Sequence, residues 1–320
     1  MAQVGWTDAT AMLNGSIQGT HATGVVDVNG DGLDDIVGLE DGNYLFVWMQ
    51  DSNGDFSKWE VGAIGEEGSG WSSDDAWGMC WADVDNNGYC DLIAGGAYDG
   101  LKVCLMNDTG DGFDITDAEN VDIFLQGVNL FDANYDGFAD IFACHDDGAS
   151  HLILNDGNGG FSYDADAVAS WWDMPGLYGA GEQGSGNYGS VFCDVNNDGY
   201  ADMYIAKCRQ GVTNQNDNRR INQLWMYDPL TGIYTEDAMA RGLADGAQSW
   251  SADFGDVDND GDMDCFIGNH DQPCRLMIND GTGFFTDIAS DAGLGAGAFP
   301  FAVIESIMRD FDNDGWIDIL

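Results

Sequence analysis

Basic side chains are the scarcest chemistry in this 320-residue sequence: nine Lys and Arg stand against 57 Asp and Glu, a formal net charge of −48. So acidic a chain is repelled by a phosphate backbone and by an anionic lipid surface, which argues against nucleic acid and membrane headgroups as partners. Cations are its natural partners, and general acidity of the kind found in proteins from saline surroundings is a second source of the imbalance. No run of 18 or more apolar residues exists, so no transmembrane helix is expected. The opening MAQVGWTDAT lacks the basic start and apolar run of a signal peptide, as expected of a mature or trimmed chain or of one not secreted by that route. No CxxC pair occurs among the eight Cys, so a zinc ribbon, a thioredoxin motif and a c-type haem site find no support. The four Pro rule out a Pro-rich linker, whereas 46 Gly call for many tight turns.

What the chain has instead is a repeat. DVNGDGLDD begins at Asp27, DVDNNGYCD at Asp83, DANYDGFAD at Asp132, DVNNDGYAD at Asp194, DVDNDGDMD at Asp256 and DFDNDGWID at Asp310. A polar turn ending in an aromatic follows each of the first five, at Phe56, Phe113, Phe161, Tyr234 and Phe284. Strand-length apolar runs bound both signals, as SWSADFGD, CFIGNH, CRLMIND and FFTDIAS do in the fifth unit. Four short strands in a unit of about fifty residues are the signature of a propeller blade. The expected fold is therefore all-β: one β-propeller domain over 1–320, with six to seven four-stranded blades and the acidic loop joining strands A and B. GWTDATAMLNG at 5–15 resembles the D-strand segments later in the chain, so an N-terminal D strand closing the ring is expected. The last repeat stops just inside strand B, so its blade is expected to be incomplete or continued beyond Leu320.

The loop chemistry points to hard divalent cations, which take several oxygen ligands, with calcium accepting flexible geometry. Side chains at positions 1, 3, 5 and 9 can converge while position 7 supplies its carbonyl. The candidate ligands are Asp27, Asn29, Asp31, Leu33 and Asp35; Asp83, Asp85, Asn87, Tyr89 and Asp91; Asp132, Asn134, Asp136, Phe138 and Asp140. They continue with Asp194, Asn196, Asp198, Tyr200 and Asp202; Asp256, Asp258, Asp260, Asp262 and Asp264; Asp310, Asp312, Asp314, Trp316 and Asp318. Glycine is always sixth, where a sharp turn needs positive φ. An EF-hand is excluded, because no Glu stands twelfth. Magnesium fits less well, since it prefers its water and a strict octahedron. About six calcium sites are expected; the alternative is an Asx-rich turn without metal.

At this point the sequence resembles a known family. The A strand, DxDxDGxxD loop, B strand, Leu-rich C strand and NDGxGxF turn are similar to FG-GAP/VCBS repeats, the calcium-loop blades of integrin-α-like propellers. FTDIASDAGLG and DFDNDGWIDIL resemble the cartilage acidic protein (ASPIC/UnbV-type) branch in particular. The strict FG…GAP letters are largely absent, and that branch's C-terminal module is not seen. The resemblance implies an extracellular or cell-surface, calcium-stabilised binding or adhesion module, with a few polysaccharide-cleaving relatives.

Partner binding is expected at the end of the blades away from the acidic loops, where two insertions fall. One is the D–A link at about 164–189, with Trp171, Trp172 and Tyr178; the other is the B–C loop at 207–221, with Lys207, Arg209, Arg219 and Arg220. Aromatic faces suit a sugar or a protein, and arginines fork to carboxylates. The competing reading is that the tryptophans pack and the arginines pair with local aspartates. A third insertion, 61–76, adds Trp71 next to Trp77. Of the four His, at 21, 145, 151 and 270, none lies in a catalytic motif, so the chain is not expected to be an enzyme; a polysaccharide lyase or hydrolase is the alternative. A structural assembly subunit, joined to a like or unlike chain through the incomplete last blade, is another. An even cysteine count suits disulfides, with Cys90–Cys104 and Cys265–Cys274 as candidate hairpin pairs, against eight free thiols.

Overall fold

The structure is a computed structural model that describes residues 12–13, 23–40, 44–64, 76–98, 100–118, 121–163, 184–295 and 303–320. The expected N-terminal D strand at 5–15 lies, apart from 12–13, outside the described residues, as do Trp71, Trp171, Trp172 and Tyr178.

Five four-stranded antiparallel sheets and one two-stranded sheet follow one another along the chain, each with its strands in sequence order. They are the expected blades. The first holds β1 (Thr23–Val26), β2 (Asp35–Glu40), β3 (Tyr44–Gln50) and β4 (Phe56–Ala63). The second holds β5 (Ala76–Ala82), β6 (Asp91–Gly96), β7 (Leu101–Met106) and β8 (Phe113–Asp117). The third holds β9 (Leu125–Phe131), β10 (Asp140–His145), β11 (His151–Asn155) and β12 (Phe161–Ser162). The fourth holds β13 (Asn187–Cys193), β14 (Asp202–Lys207), β15 (Gln223–Asp228) and β16 (Ile233–Glu236), followed by the one-turn helix α1 (Ala238–Arg241). The fifth holds β17 (Ser249–Gly255), β18 (Asp264–Asn269), β19 (Arg275–Asn279) and β20 (Phe285–Asp287). The sixth has β21 (Met308–Arg309) and β22 (Asp318–Ile319). No helix among the described residues is long and apolar enough to cross a membrane.

The described residues group into two compact units, one lying within 144–150 and 165–320, the other within 5–143 and 151–164. Each core lies between neighbouring blades, because a lone six-residue hairpin cannot bury enough surface to stand. The B strands β6, β10, β14 and β18 are buried at every position, so they read as apolar runs rather than alternations. Val84, Ile93, Leu101, Ile141 and Ile153 join blades two and three. Val195, Tyr204, Leu224, Ile267 and Phe285 do the same for blades four and five.

All eight cysteines are free thiols, and the strand register explains why the proposed pairs fail. Cys104 faces Leu92, two residues beyond Cys90, and Cys265 faces Met277, three beyond Cys274.

Candidate metal-binding loops

The six acidic loops fold alike, and backbone N–H groups set their shape. The first aspartate accepts from the N–H of positions 5 and 6: Asp27 from Asp31 and Gly32 at 3.0 and 2.8 Å, Asp132 from Asp136 and Gly137 at 2.9 and 2.8 Å, Asp194 from Asp198 and Gly199 at 3.0 and 2.7 Å. Asp83, Asp256 and Asp310 repeat the pattern. The side chain at position 5 accepts from the N–H of position 7 in every loop, from Leu33, Tyr89, Phe138, Tyr200, Asp262 and Trp316.

The ninth aspartate is a fastener. Asp35, Asp91, Asp140, Asp202 and Asp264 are buried at the start of strand B. One oxygen of each accepts from the N–H of position 2, that of Val28, Val84, Ala133, Val195 or Val257, and Asp318 accepts likewise from Phe311. The other oxygen accepts from the end of strand C: Gln50, Met106, Asn155, Tyr227 or Asn279. Burial pushes the carboxyls of Asp91, Asp140 and Asp264 up to about 6 and that of Asp202 to about 7, although these backbone bonds pull the other way.

Three loops gather carboxylate oxygens within 4.8 Å of one another: Asp83, Asp85 and Asp91; Asp256, Asp258 and Asp260; Asp310, Asp312 and Asp318. In the loops from Asp27, Asp132 and Asp194, an asparagine stands third. Among the described residues no loop aspartate forms an ion pair; the pairs use other acids. A concentrated set of hard oxygens without a basic counter-ion fits a divalent cation such as calcium. Asn87, Asp314 and the position 7 residues Tyr89, Asp262 and Trp316 lie in the loops that carry these clusters, and Asp264 lies outside the cluster of its own loop. Asp31, Asp136 and Asp198, with Leu33, Phe138 and Tyr200 at position 7, lie in the three loops where no such cluster forms among the described residues.

The predicted partner arginines pair with aspartates of the same region, the competing expectation, and only Arg220 is buried. Arg209 pairs with Asp146 and Asp147 at 3.2 and 2.9 Å, and Arg219 forks onto Asp217 with two contacts of 2.8 Å. Arg220 is buried, bound to the carbonyls of Gly246 and Val212 and to Asp271 at 2.6 Å, so it is not available to a partner. The Lys207 ammonium is fully buried and finds no hydrogen-bond acceptor among the described residues; burial lowers it to about 8. Asp146 is raised to about 6 by burial, against the pull of Arg209.

The histidines named in the sequence have packing roles. His151 stacks on Tyr163 at 4.0 Å, His145 Nδ1 accepts from the Asp147 N–H, and His270 stacks on Trp250 at 4.7 Å. His21 lies outside the described residues.

The family profile of the FG-GAP-like repeat matches residues 27–94, 132–205, 194–267 and 256–320, well over half of the chain. The chain belongs to the FG-GAP-like repeat family. Each match starts on the first aspartate of an acidic loop and runs to the B strand that follows the next acidic loop, so each spans two of the loops. A lectin from Agrocybe aegerita, described by its specific recognition of non-reducing terminal N-acetylglucosamine, is 20% identical; the match covers 96% of this chain and 75% of that one at a TM-score of 0.58. A candidate 6-phosphogluconolactonase from Bacteroides uniformis is 11% identical over 82% and 68% of the two chains, with a TM-score of 0.48. The V. cholerae biofilm matrix protein Bap1 is 16% identical over 84% of this chain and 39% of that one, with a TM-score of 0.43. The lectin shows a shared fold, and the two lower scores carry no argument. No curated protein sequence matches the chain.

Two features of these FG-GAP-like repeats are not evident from the sequence alone. Position 4 is left-handed in all six loops, at Gly30, Asn86, Tyr135, Asn197, Asn259 and Asn313. Five Gly or Asn in six copies is the signal that could have found it. The second is a β-bulge at one place in three A strands, between Ala76 and Gly78, Asn187 and Gly189, and Ser249 and Ser251. The extra residue is aromatic each time: Trp77, Tyr188 and Trp250. Bulges re-aim side chains. Tyr188 and Trp250 lie 5.4 Å apart, at the same end of their blades as Arg209 and His270.

Proposed function

We propose that the chain is an extracellular, calcium-stabilised binding or adhesion module whose partner is a glycan or a protein. The observation that carries this reading is the sixfold recurrence of one hydrogen-bonded loop, which in three copies gathers carboxylate oxygens within 4.8 Å of one another and in which, among the described residues, no aspartate is ion-paired. Calcium would be held by positions 1, 3, 5 and 9 with the carbonyl of position 7, and would neutralise carboxylates that otherwise repel. Open, exposed loops of this kind suit the high calcium levels outside cells. The segments FTDIASDAGLG and DFDNDGWIDIL support the ASPIC/UnbV-type branch within the family.

The partner surface in this reading is the B–C loop end of blades four and five. Tyr188, Trp250 and His270 give it flat rings, and the Arg209–Asp147 pair gives it a polar edge. Ring faces beside fixed hydrogen-bonding groups suit sugars, and the lectin of the same fold favours glycans over proteins as the first class to test. Catalysis is not part of the proposal.

The test is a glycan array probed in calcium and in EDTA, together with the Trp250→Ala and Tyr188→Ala variants. Calcium-dependent binding to a defined sugar set, lost in both variants, is the expected result. Binding that survives both substitutions would move the partner site elsewhere; a new reducing end released from a bound polysaccharide would make the chain an enzyme.

A further inference from the structure

Two buried asparagines tie neighbouring acidic loops together. Asn155 ends β11 and Asn279 ends β19, and each is buried with its polar atoms used in the same way. The backbone N–H donates to the ninth aspartate of its own loop, Asn155 to Asp140 at 2.8 Å and Asn279 to Asp264 at 2.9 Å. The side-chain Nδ2 donates to the position 8 carbonyl of the same loop, Ala139 at 3.0 Å or Met263 at 3.1 Å. It also donates to the position 2 carbonyl of the preceding loop, Val84 or Val195, at 2.8 Å in both cases. Oδ1 accepts from the next turn, at Gly157 or Gly281.

The residue reached in the preceding loop is the one that holds that loop's own ninth aspartate. The Val84 N–H donates to Asp91 and the Val195 N–H to Asp202. A path of hydrogen bonds therefore runs from the ninth aspartate of one loop, through the position 2 residue and the asparagine, to the ninth aspartate of the next. It occurs twice, between the second and third loops and between the fourth and fifth, each time inside one compact unit. At the equivalent place the first, second and fourth blades carry Gln50, Met106 and Tyr227, whose backbone N–H repeats the bond to the ninth aspartate.

We propose that Asn155 and Asn279 are positioning residues that couple cation binding in adjacent loops, the second with the third and the fourth with the fifth. The inference rests on the calcium reading above and adds regulation to it. A cation drawing on the ninth carboxylate shifts the N–H groups bound to it. A buried asparagine with every polar atom engaged passes that shift to the neighbouring loop rather than absorbing it. The coupling is reciprocal: whatever the third loop does for the second, the second does for the third.

The test uses the full chain and hydrogen exchange read by mass spectrometry, which follows 83–91 and 132–140 separately as calcium is added after EDTA treatment. Asp136→Ala disables the third loop at an exposed ligand. The calcium midpoint for protection of the second loop is expected to rise about fivefold in that variant. The rise disappears when Asn155→Met is added, a change that copies the residue Met106 supplies at the same place in the second blade. A second-loop midpoint unmoved by Asp136→Ala overturns the coupling, whatever the Asn155 variant does. A midpoint that still rises in the double variant overturns the role of Asn155. Absence of calcium-dependent protection in every loop of the unaltered chain removes the calcium reading itself, and this inference with it.

Discussion

The ninth aspartates show how far burial can move a carboxyl that the backbone is simultaneously trying to keep ionised. Each accepts two N–H groups, which favours the anion, yet burial wins and lifts Asp202 to about 7 and Asp91, Asp140 and Asp264 to about 6, from 3.8. The folded pKa lies above the unfolded one. The stability tied to the neutral form is thus complete below about pH 4 and is lost as pH rises through 6 to 7. In EDTA the melting temperature is therefore expected to be higher at pH 5 than at pH 7.5, by scanning calorimetry; a fall on acidification would contradict it. Lys207 is the opposite case, a cation with no acceptor among the described residues and burial lowering it to about 8. Lys207→Met keeps the volume and removes the charge, and is expected to raise stability by on the order of 1 kcal/mol or more in urea titrations. Loss of stability would show that an acceptor reaches Nζ in solution.

At the scale of the loop, position 4 tests the fold without touching a proposed ligand. Tyr135 holds φ of 57° where four of its siblings use Asn and one uses Gly. A bulky residue pays a steric penalty there that Asn largely avoids. Tyr135→Asn is expected to stabilise the chain by about 1 kcal/mol, read as a higher urea midpoint at unchanged slope. An unchanged or lower midpoint would mean that the exposed tyrosine ring makes contacts worth as much as the strain. The same loop shows what a sequence discloses. Aspartates at fixed offsets and a sixth glycine are local signals, set by bonds spanning two to seven residues, and so the blades and the loops were legible. Disulfide candidates were not, because they depend on register, and a hairpin centred one residue away moves Cys104 from Cys90 towards Leu92. The arginines were not legible either: Arg209 meets Asp147 across 62 residues and Arg220 meets Asp271 across 51. The bulged Tyr188 and Trp250 stand six residues before a loop's first aspartate, a regularity visible only once the loops are aligned.

For the whole molecule the question is whether calcium acts through its sites or merely as a counter-ion. A net charge of −48 means that any salt relieves self-repulsion, and screening alone raises stability without a single bound ion. Site binding differs in two respects. It saturates, because each loop contributes RT ln(1 + [L]/Kd), or about 2.7 kcal/mol at a hundredfold excess over Kd. It also discriminates, because magnesium gives up water reluctantly where calcium accepts an irregular set of oxygens. Several loops filling together would raise the melting temperature by about 10 °C or more, at roughly 2–4 °C per kcal/mol for a large domain. The expected result is therefore a large, saturating rise in millimolar calcium chloride, a smaller one in magnesium chloride and a small one in sodium chloride of equal ionic strength. Equal shifts in all three salts would reduce the acidic loops to hydrogen-bonded turns that shape the blades without holding an ion.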